Sequence, residues 1–162
     1  MSTIRPCRED EREAIFAIVN EAAEAYRGVI PADRWHEPYM PLAQLDGEIA
    51  AGVRFWGYED GGGELLGVMG VQRVGDVELI RHAYVTPSAQ GRGVGGALLE
   101  HLMRAATLPV LVGTWTTATW AIRFYERHGF EVTSRAETER LLRRYWSIPD
   151  RQVETSVVLV RR

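Results

Sequence analysis

The chain has 162 residues, of which 46% are hydrophobic and 25% charged, a composition typical of one soluble domain with one core. Its net charge of −3 argues against a nucleic-acid-binding protein, which normally presents a basic surface. The single cysteine, Cys7, excludes an intrachain disulfide and favours a reducing compartment. No apolar run has the length of a membrane span or the character of a signal region. We therefore expect one cytoplasmic domain, residues 1–162, with no nucleic-acid partner, no membrane partner and no metal ion.

The N-terminal half predicts a strand, two helices and a meander of strands. Thr3–Cys7 favours a short strand, and Arg8–Tyr26 carries apolar residues at helical spacing. A second helix is predicted from about Leu42 to Ala51. Three strands follow, at 53–59, 64–74 and 77–85. Because short glycine-containing turns join these strands, this part of the sheet is predicted to be antiparallel.

The segment between the two predicted helices, residues 27–41, is irregular and rich in aromatic side chains. It follows Tyr26 and contains Trp35, His36, Tyr39 and Met40. Two interpretations are open: the segment packs over the core, or it forms one wall of a pocket for an acceptor substrate.

The C-terminal half alternates helices and strands. We predict a helix over Val94–Ala106, a strand over Pro109–Thr114 and a helix over Trp120–His128, with Thr119 as its N-cap and Gly129 as its C-terminal stop. The remaining elements are a strand over 130–135, a short helix or an ordered excursion over 137–146, and a strand over 153–160. This order predicts an α/β fold with a mixed, twisted central sheet of about six or seven strands and about four flanking helices.

The turn between the strand 77–85 and the following helix gives the strongest functional signal. It has four glycines in the six positions 91–96, which let a ligand approach the backbone amides without obstruction by Cβ atoms. The first N–H groups of a helix have no intrahelical partner. Together with the helix dipole they predict an anion site, best suited to a phosphate or pyrophosphate.

The pattern Gly91-x-Gly93-x-x-Gly96 also matches the fingerprint of dinucleotide-binding proteins. That fingerprint needs glycine directly after the strand and an acidic residue about 20 residues further on. Here residues 86–90 intervene, and the segment 111–119 contains neither Asp nor Glu. A nicotinamide-dependent oxidoreductase is therefore the weaker alternative.

Two motifs resemble those of the GNAT superfamily of N-acetyltransferases. The run Gln90-Gly91-Arg92-Gly93-Val94-Gly95, after a strand that ends in Tyr84-Val85-Thr86-Pro87, is similar to that family's acetyl-CoA loop. The stretch Ala121–Phe130, with its Phe-Tyr pair and Gly-Phe ending, is similar to its second motif. The resemblance is sharp from about Val77 to Phe130.

This resemblance implies an enzyme that moves the acetyl group of acetyl-CoA directly to an amine. The acceptor would be a small molecule or a peptide, bound with acetyl-CoA in a ternary complex without a covalent enzyme intermediate. A module that binds CoA without turnover is the main alternative. By analogy with the family, a homodimer is plausible, and the segment 27–41 would help to select the acceptor.

The resemblance also implies where acetyl-CoA contacts the chain. The strand backbone at Ala83–Val85 would pair with the pantetheine arm, and an N–H group there would polarise the thioester carbonyl. Where the family usually has asparagine this chain has Ala118, so Thr117 or Thr119 would supply those hydrogen bonds. The expected contact residues are Ala83, Tyr84, Val85, Gln90, Gly91, Arg92, Gly93, Val94, Gly95, Gly96, Ala97, Thr119, Ala121, Phe124 and Tyr125.

Acyl transfer to an amine also needs an acid for the leaving thiolate and a base for the amine. Tyr125, in the Phe-Tyr pair, is the predicted acid, and a core tyrosine with a satisfied hydroxyl is the alternative. An alkylamine with a pKa of about 10.4 is almost fully protonated at pH 7, so a base is useful.

Glu78 and His82 are the candidate bases on the strand 77–85. Their even spacing predicts that they share one face, with Leu79 and Arg81 on the other. A bulge in this strand would change which side chains face the acceptor. If Arg81 faced the pocket, it would indicate an acceptor with a carboxylate.

Overall fold

A computed structural model of the chain describes all 162 residues. Seven strands form one sheet in the order β1-β2-β3-β4-β5-β7-β6. The strands are β1 (Thr3–Pro6), β2 (Arg54–Glu59), β3 (Leu65–Val74), β4 (Val77–Val85), β5 (Val110–Trp115), β6 (Glu131–Val132) and β7 (Ser156–Arg161). Strands β1 to β4 are antiparallel neighbours, as the glycine turns predict, whereas β4 and β5 are parallel. The sheet is therefore mixed, as predicted.

The α-helices are α1 (Arg12–Ala22), α2 (Leu42–Ala50), α3 (Val94–Ala105), α4 (Thr119–Arg127), α5 (Arg135–Tyr145) and α6 (Asp150–Glu154). Short 3₁₀ turns precede and follow α1, so the helical segment predicted over Arg8–Tyr26 is confirmed over most of its length. None of these helices combines the length and apolar character that a membrane crossing requires.

Apolar clusters lie on both faces of the sheet. On one face, α3 and α4 cover a cluster that includes Ile80 and Leu98. On the other face, α1 and α2 cover a cluster around Leu45, and α5 and α6 cover a third around Leu79 and Leu142. The second face therefore carries two separate helix pairs, and the cleft described below reaches the sheet between them.

Several boundaries in the C-terminal part differ from the predictions. The strand predicted over 130–135 shrinks to β6, because the Ser134 hydroxyl accepts a hydrogen bond from the Glu137 backbone N–H at 3.1 Å and so caps α5. The segment 137–146 is mostly helix, and α6 occupies the start of the predicted final strand. Thr119 is the first residue of α4 rather than its cap; Ala118 holds that position, without a side-chain hydrogen bond.

Candidate active site

The parallel strands β4 and β5 separate before their C-terminal ends. They pair at Glu78–Val110, Leu79–Leu111 and Ile80–Val112, and no pair follows. The separation opens a cleft of about 1590 Å³, lined by residues from both faces of the sheet. Because the facing edges carry unpaired backbone groups, an extended ligand with amide groups can hydrogen-bond to them.

The glycine turn lies at the side of the cleft formed by α3. The backbone N–H groups of residues 91–96 have no backbone acceptor. Gly91 and Gly93 both have a φ of +78°, and Gly93 is the N-cap of α3. This left-handed conformation favours glycine. The turn therefore presents successive free amides and a helix N-terminus, which is the geometry of an anion site.

Most of the predicted acetyl-CoA contacts lie on this cleft. Three do not: the Arg92 side chain is exposed, and neither Ala97 nor Thr119 belongs to the lining. The predicted contact residues that do line the cleft are Ala83, Tyr84, Val85, Gln90, Gly91, Gly93, Val94, Gly95, Gly96, Ala121, Phe124 and Tyr125.

Strand β4 contains a β-bulge at His82 and Ala83. Arg81 pairs with Gly70 and Tyr84 pairs with Val68, so two residues of β4 stand opposite the one residue between them in β3. His82 has a φ of +53°, a left-handed conformation that costs a non-glycine residue on the order of 1–3 kcal/mol. Such a bulge shifts the alternation of side chains by one residue.

The prediction that Glu78 and His82 share a face is therefore wrong. His82 lies on the same side as Arg81, and both contact Glu48 of α2. Glu78 precedes the bulge and does not line the cleft. Period-two alternation holds only for an unbroken strand, and the extra residue moved His82 to the other face.

Glu48 is the only carboxylate on the cleft. Its Oε1 lies 2.5 Å from Nε2 of His82 and 3.1 Å from Nη2 of Arg81, and its Oε2 accepts a hydrogen bond from Gln44 at 2.8 Å. Burial alone would raise the pKa of Glu48, but its hydrogen bond with His82 and the charges of His82 and Arg81 outweigh burial and lower this pKa to about 2. Glu48 is therefore ionised at neutral pH and orients the His82 ring.

Glu48 could not be identified from the sequence. It lies 34 residues before His82, on a helix with no motif of its own. Only the packing of α2 against the bulge in β4 brings the two side chains together.

Five tyrosines line the cleft, among them Tyr26, Tyr39, Tyr84 and Tyr125. The ring centroid of Tyr26 is 5.6 Å from that of Tyr39 and 6.2 Å from that of Tyr84. Burial, together with the nearby Tyr26, raises the pKa of Tyr125. The Tyr125 hydroxyl therefore keeps its proton at neutral pH. No side chain or backbone group of the chain accepts that proton, unlike the satisfied hydroxyl of an ordinary core tyrosine.

Part of the segment 27–41 packs over the core, and another part lines the cleft. Trp35 packs on a small apolar cluster with Trp115 of β5. Arg34, His36 and Tyr39 line the cleft instead, and the Trp115 indole N–H donates a hydrogen bond to the Tyr39 hydroxyl at 2.9 Å. The segment thus packs over the sheet and also walls the cleft.

The family model described as "Acetyltransferase (GNAT) domain" matches residues 51–132. The match includes the glycine turn and the Phe-Tyr pair on which the resemblance depends. The chain therefore belongs to the GNAT family of acetyltransferases, and it is an acyltransferase. A comparison with curated proteins gives no match.

Solved structures share the fold over the whole chain. A GNAT-family acetyltransferase from Staphylococcus aureus Mu50 has 14% identity and a TM-score of 0.73, with 99% of this chain and 98% of that chain covered. The PaiA N-acetyltransferase from Thermoplasma acidophilum, in complex with coenzyme A, has 16% identity and a TM-score of 0.73, with 100% of this chain and 99% of that chain covered. N-acetylglutamate synthase from Neisseria gonorrhoeae, complexed with coenzyme A and L-arginine, has 25% identity and a TM-score of 0.61, with 99% of this chain and 33% of that chain covered. The predicted GNAT fold is confirmed.

Proposed function

We propose that this acetyltransferase transfers the acetyl group of acetyl-CoA directly to the amine of a small molecule or peptide, within a ternary complex. The observation that carries the proposal is the separation of β4 and β5, with the free amides of residues 91–96 on one side and the Glu48–His82 pair on the other. Two substrates that enter from opposite faces can meet in this opening without a covalent intermediate.

The residues present fit the acetyl donor. The amides of 91–96 bind the pyrophosphate, because they have no other acceptor and lie at the N-terminus of α3. The free edge of β4 at Ala83–Val85 pairs with the pantetheine arm, and a backbone N–H there polarises the thioester carbonyl. Acetyl-CoA supplies the activated acyl group. The coenzyme A bound by the Thermoplasma relative supports this assignment.

His82 is the proposed base for the acceptor. Its Nε2–H donates to Glu48, which leaves the lone pair on Nδ1 to take a proton from the amine as the C–N bond forms. Glu48 is a positioning residue: it fixes the ring and stabilises the imidazolium that results. Glu78, the other candidate base, has no part in this mechanism because it lies away from the cleft.

Tyr125 is the proposed acid. Its raised pKa keeps the hydroxyl protonated, so this hydroxyl can donate to the sulfur as the C–S bond breaks. The amine reacts in its neutral form: its proton goes to His82 as the C–N bond forms, and the thiolate takes the proton of Tyr125 as the C–S bond breaks. Proton exchange with water then returns His82 to its neutral form and Tyr125 to its protonated form. The Arg92 side chain, Ala97 and Thr119 are not part of the proposed donor site.

Initial rates of thiol release, with both substrates varied, test direct transfer. We expect intersecting double-reciprocal plots and no acetylated protein by mass spectrometry in the absence of acceptor. Parallel plots together with an acetylated enzyme would contradict the ternary complex. Binding of acetyl-CoA without thiol release, across a broad set of amines, would instead support a CoA-binding module.

A cytoplasmic location and a homodimer stay predictions. Cell fractionation tests the first, and sedimentation of the purified protein tests the second.

A further inference from the structure

Arg34 is a cleft-lining arginine whose charge has no partner in the chain. It lies in the 3₁₀ turn Ala32–Arg34 of the segment 27–41, and its side chain contributes to the wall of the cleft. Its Nε is buried and makes no hydrogen bond. Because native proteins rarely leave a buried polar atom unsatisfied, this atom requires an explanation.

The acidic side chains of the same segment are engaged by other arginines. Asp33 accepts hydrogen bonds from Arg151 of α6 at 3.0 and 3.3 Å. Glu37 forms a salt bridge with Arg27. Neither carboxylate forms a salt bridge with Arg34, although the Arg34 charge acts on the neighbouring Asp33. The Arg34 Nε therefore stays without a hydrogen-bond partner at the cleft.

The position of Arg34 places its charge close to the separated strands. Its charge acts on the Tyr39 hydroxyl, partly opposing the burial that raises the Tyr39 pKa to about 12. That hydroxyl accepts the hydrogen bond from Trp115 at the end of β5. Arg34 therefore lies beside the strand end at which the acceptor amine would meet the acetyl group.

The charge balance on this part of the cleft disfavours an acceptor that is only cationic. Glu48 is the sole carboxylate of the lining, and it is already bound by His82 and Arg81. Arg81 also donates to Gln72 at 2.8 Å, so it is not free for a substrate. A polyamine would add positive charge next to Arg34 without finding a free carboxylate.

We propose that the acceptor is a small amine that also carries a carboxylate, and that Arg34 binds this carboxylate. The proposal rests on the proposed function. A guanidinium and a carboxylate form paired, charge-assisted hydrogen bonds, so Arg34 would fix one end of the acceptor while its amino group reaches His82. The apolar body of the acceptor would lie against Tyr26 and Tyr39.

The test compares acceptors that differ only in the carboxylate. The common α-amino acids, β-alanine and 4-aminobutyrate are assayed by thiol release beside their amides or decarboxylated amines, with spermidine as the polyamine. For the best acceptor we expect the acid form to exceed its amide by about 10- to 100-fold in kcat/KM, which is the effect of a hydrogen bond to a charged group.

Variants then assign the effect to Arg34. Arg34→Gln should remove the preference for the acid form and leave the KM for acetyl-CoA unchanged, while Arg34→Lys should keep part of the preference. Arg140→Gln is the matched control, because Arg140 is an exposed arginine of α5 that pairs with Glu137 outside the cleft. Arg140→Gln should change neither the preference for the acid form nor the KM for acetyl-CoA. Thermal unfolding of each variant verifies that it is folded.

Three results would overturn the inference: equal use of acids and amides, a preference for spermidine, or a loss in Arg34→Gln that is the same for both forms. If acetyl-CoA raises the melting temperature but no amino carboxylate is acetylated, the inference is also wrong, while the proposed function remains to be judged with other amines. If acetyl-CoA does not bind at all, the proposed function fails and the inference fails with it.

Discussion

The sharpest test of the proposed base compares three variants, in which His82, Glu48 or both are replaced. His82→Asn deletes the imidazole without new backbone strain, because asparagine tolerates the left-handed conformation found here. We expect kcat to fall by about 10²- to 10⁴-fold, the range that general bases contribute. Glu48→Gln keeps an oxygen near Nε2 but removes the negative charge, and we expect it to lower kcat by about 10- to 100-fold, the effect of one charged hydrogen bond.

The two losses should not add. Glu48 acts through His82, since its Oε1 contacts Nε2 of that ring at 2.5 Å. The double variant should therefore be no slower than His82→Asn alone, which is the pattern expected of residues that act as one unit.

Thiol release, measured from about pH 5.5 to 9 around the range in which an imidazole titrates, gives both the rates and the pH profile. The acidic limb of kcat/KM should disappear in His82→Asn and persist in Glu78→Gln, because Glu78 lies outside the cleft. Additive losses would show that Glu48 does not act through His82, and an acidic limb that survives in His82→Asn would show that His82 is not the base.

Three further predictions concern the acid, the anion site and acid stability. Tyr125→Phe should lower kcat by about tenfold or more and leave the calorimetric Kd for CoA unchanged; equal rates would exclude Tyr125 as the acid. Gly93→Ala should weaken acetyl-CoA binding, whereas Gly63→Ala, also at positive φ but outside the cleft, should cost only stability. Glu11 and Glu48 both have a pKa near 2 instead of 4.5. The stability that each of these carboxylates contributes is complete above pH 4.5 and is lost as the pH falls toward 2, which urea unfolding at several pH values would detect.

Much of the fold can be predicted from the sequence, because short runs of neighbouring residues determine where its strands and helices begin and end. The turns that contain glycine set the ends of β3 and β4, and β4 has the predicted bounds, Val77–Val85. The glycines 91–96 likewise predict a turn before α3. The residue pattern does not predict the end of β6, because a single hydroxyl, that of Ser134, starts a helix where the pattern favours a strand.

The candidate site was harder to predict because its key contacts are distant in sequence. No local pattern predicts the bulge at His82, yet this bulge decides that His82 and Arg81 face α2 while Glu78 does not. Glu48 and Arg34 belong to no motif. Each becomes a candidate only when packing shows which charges are paired and which remain free.

Thermal unfolding with acetyl-CoA or NADH shows whether acetyl-CoA occupies the opening between β4 and β5, as we propose. At about a hundred times its Kd, a ligand stabilises the folded state by about 2.7 kcal/mol, or roughly 5–10 °C in a domain of this size. We expect such a rise with acetyl-CoA, a smaller rise when Gly93 is replaced by alanine, and none with NADH. A rise with NADH alone would exclude acetyl-CoA from the opening and would make the dinucleotide pattern at Gly91-x-Gly93-x-x-Gly96 the functional one.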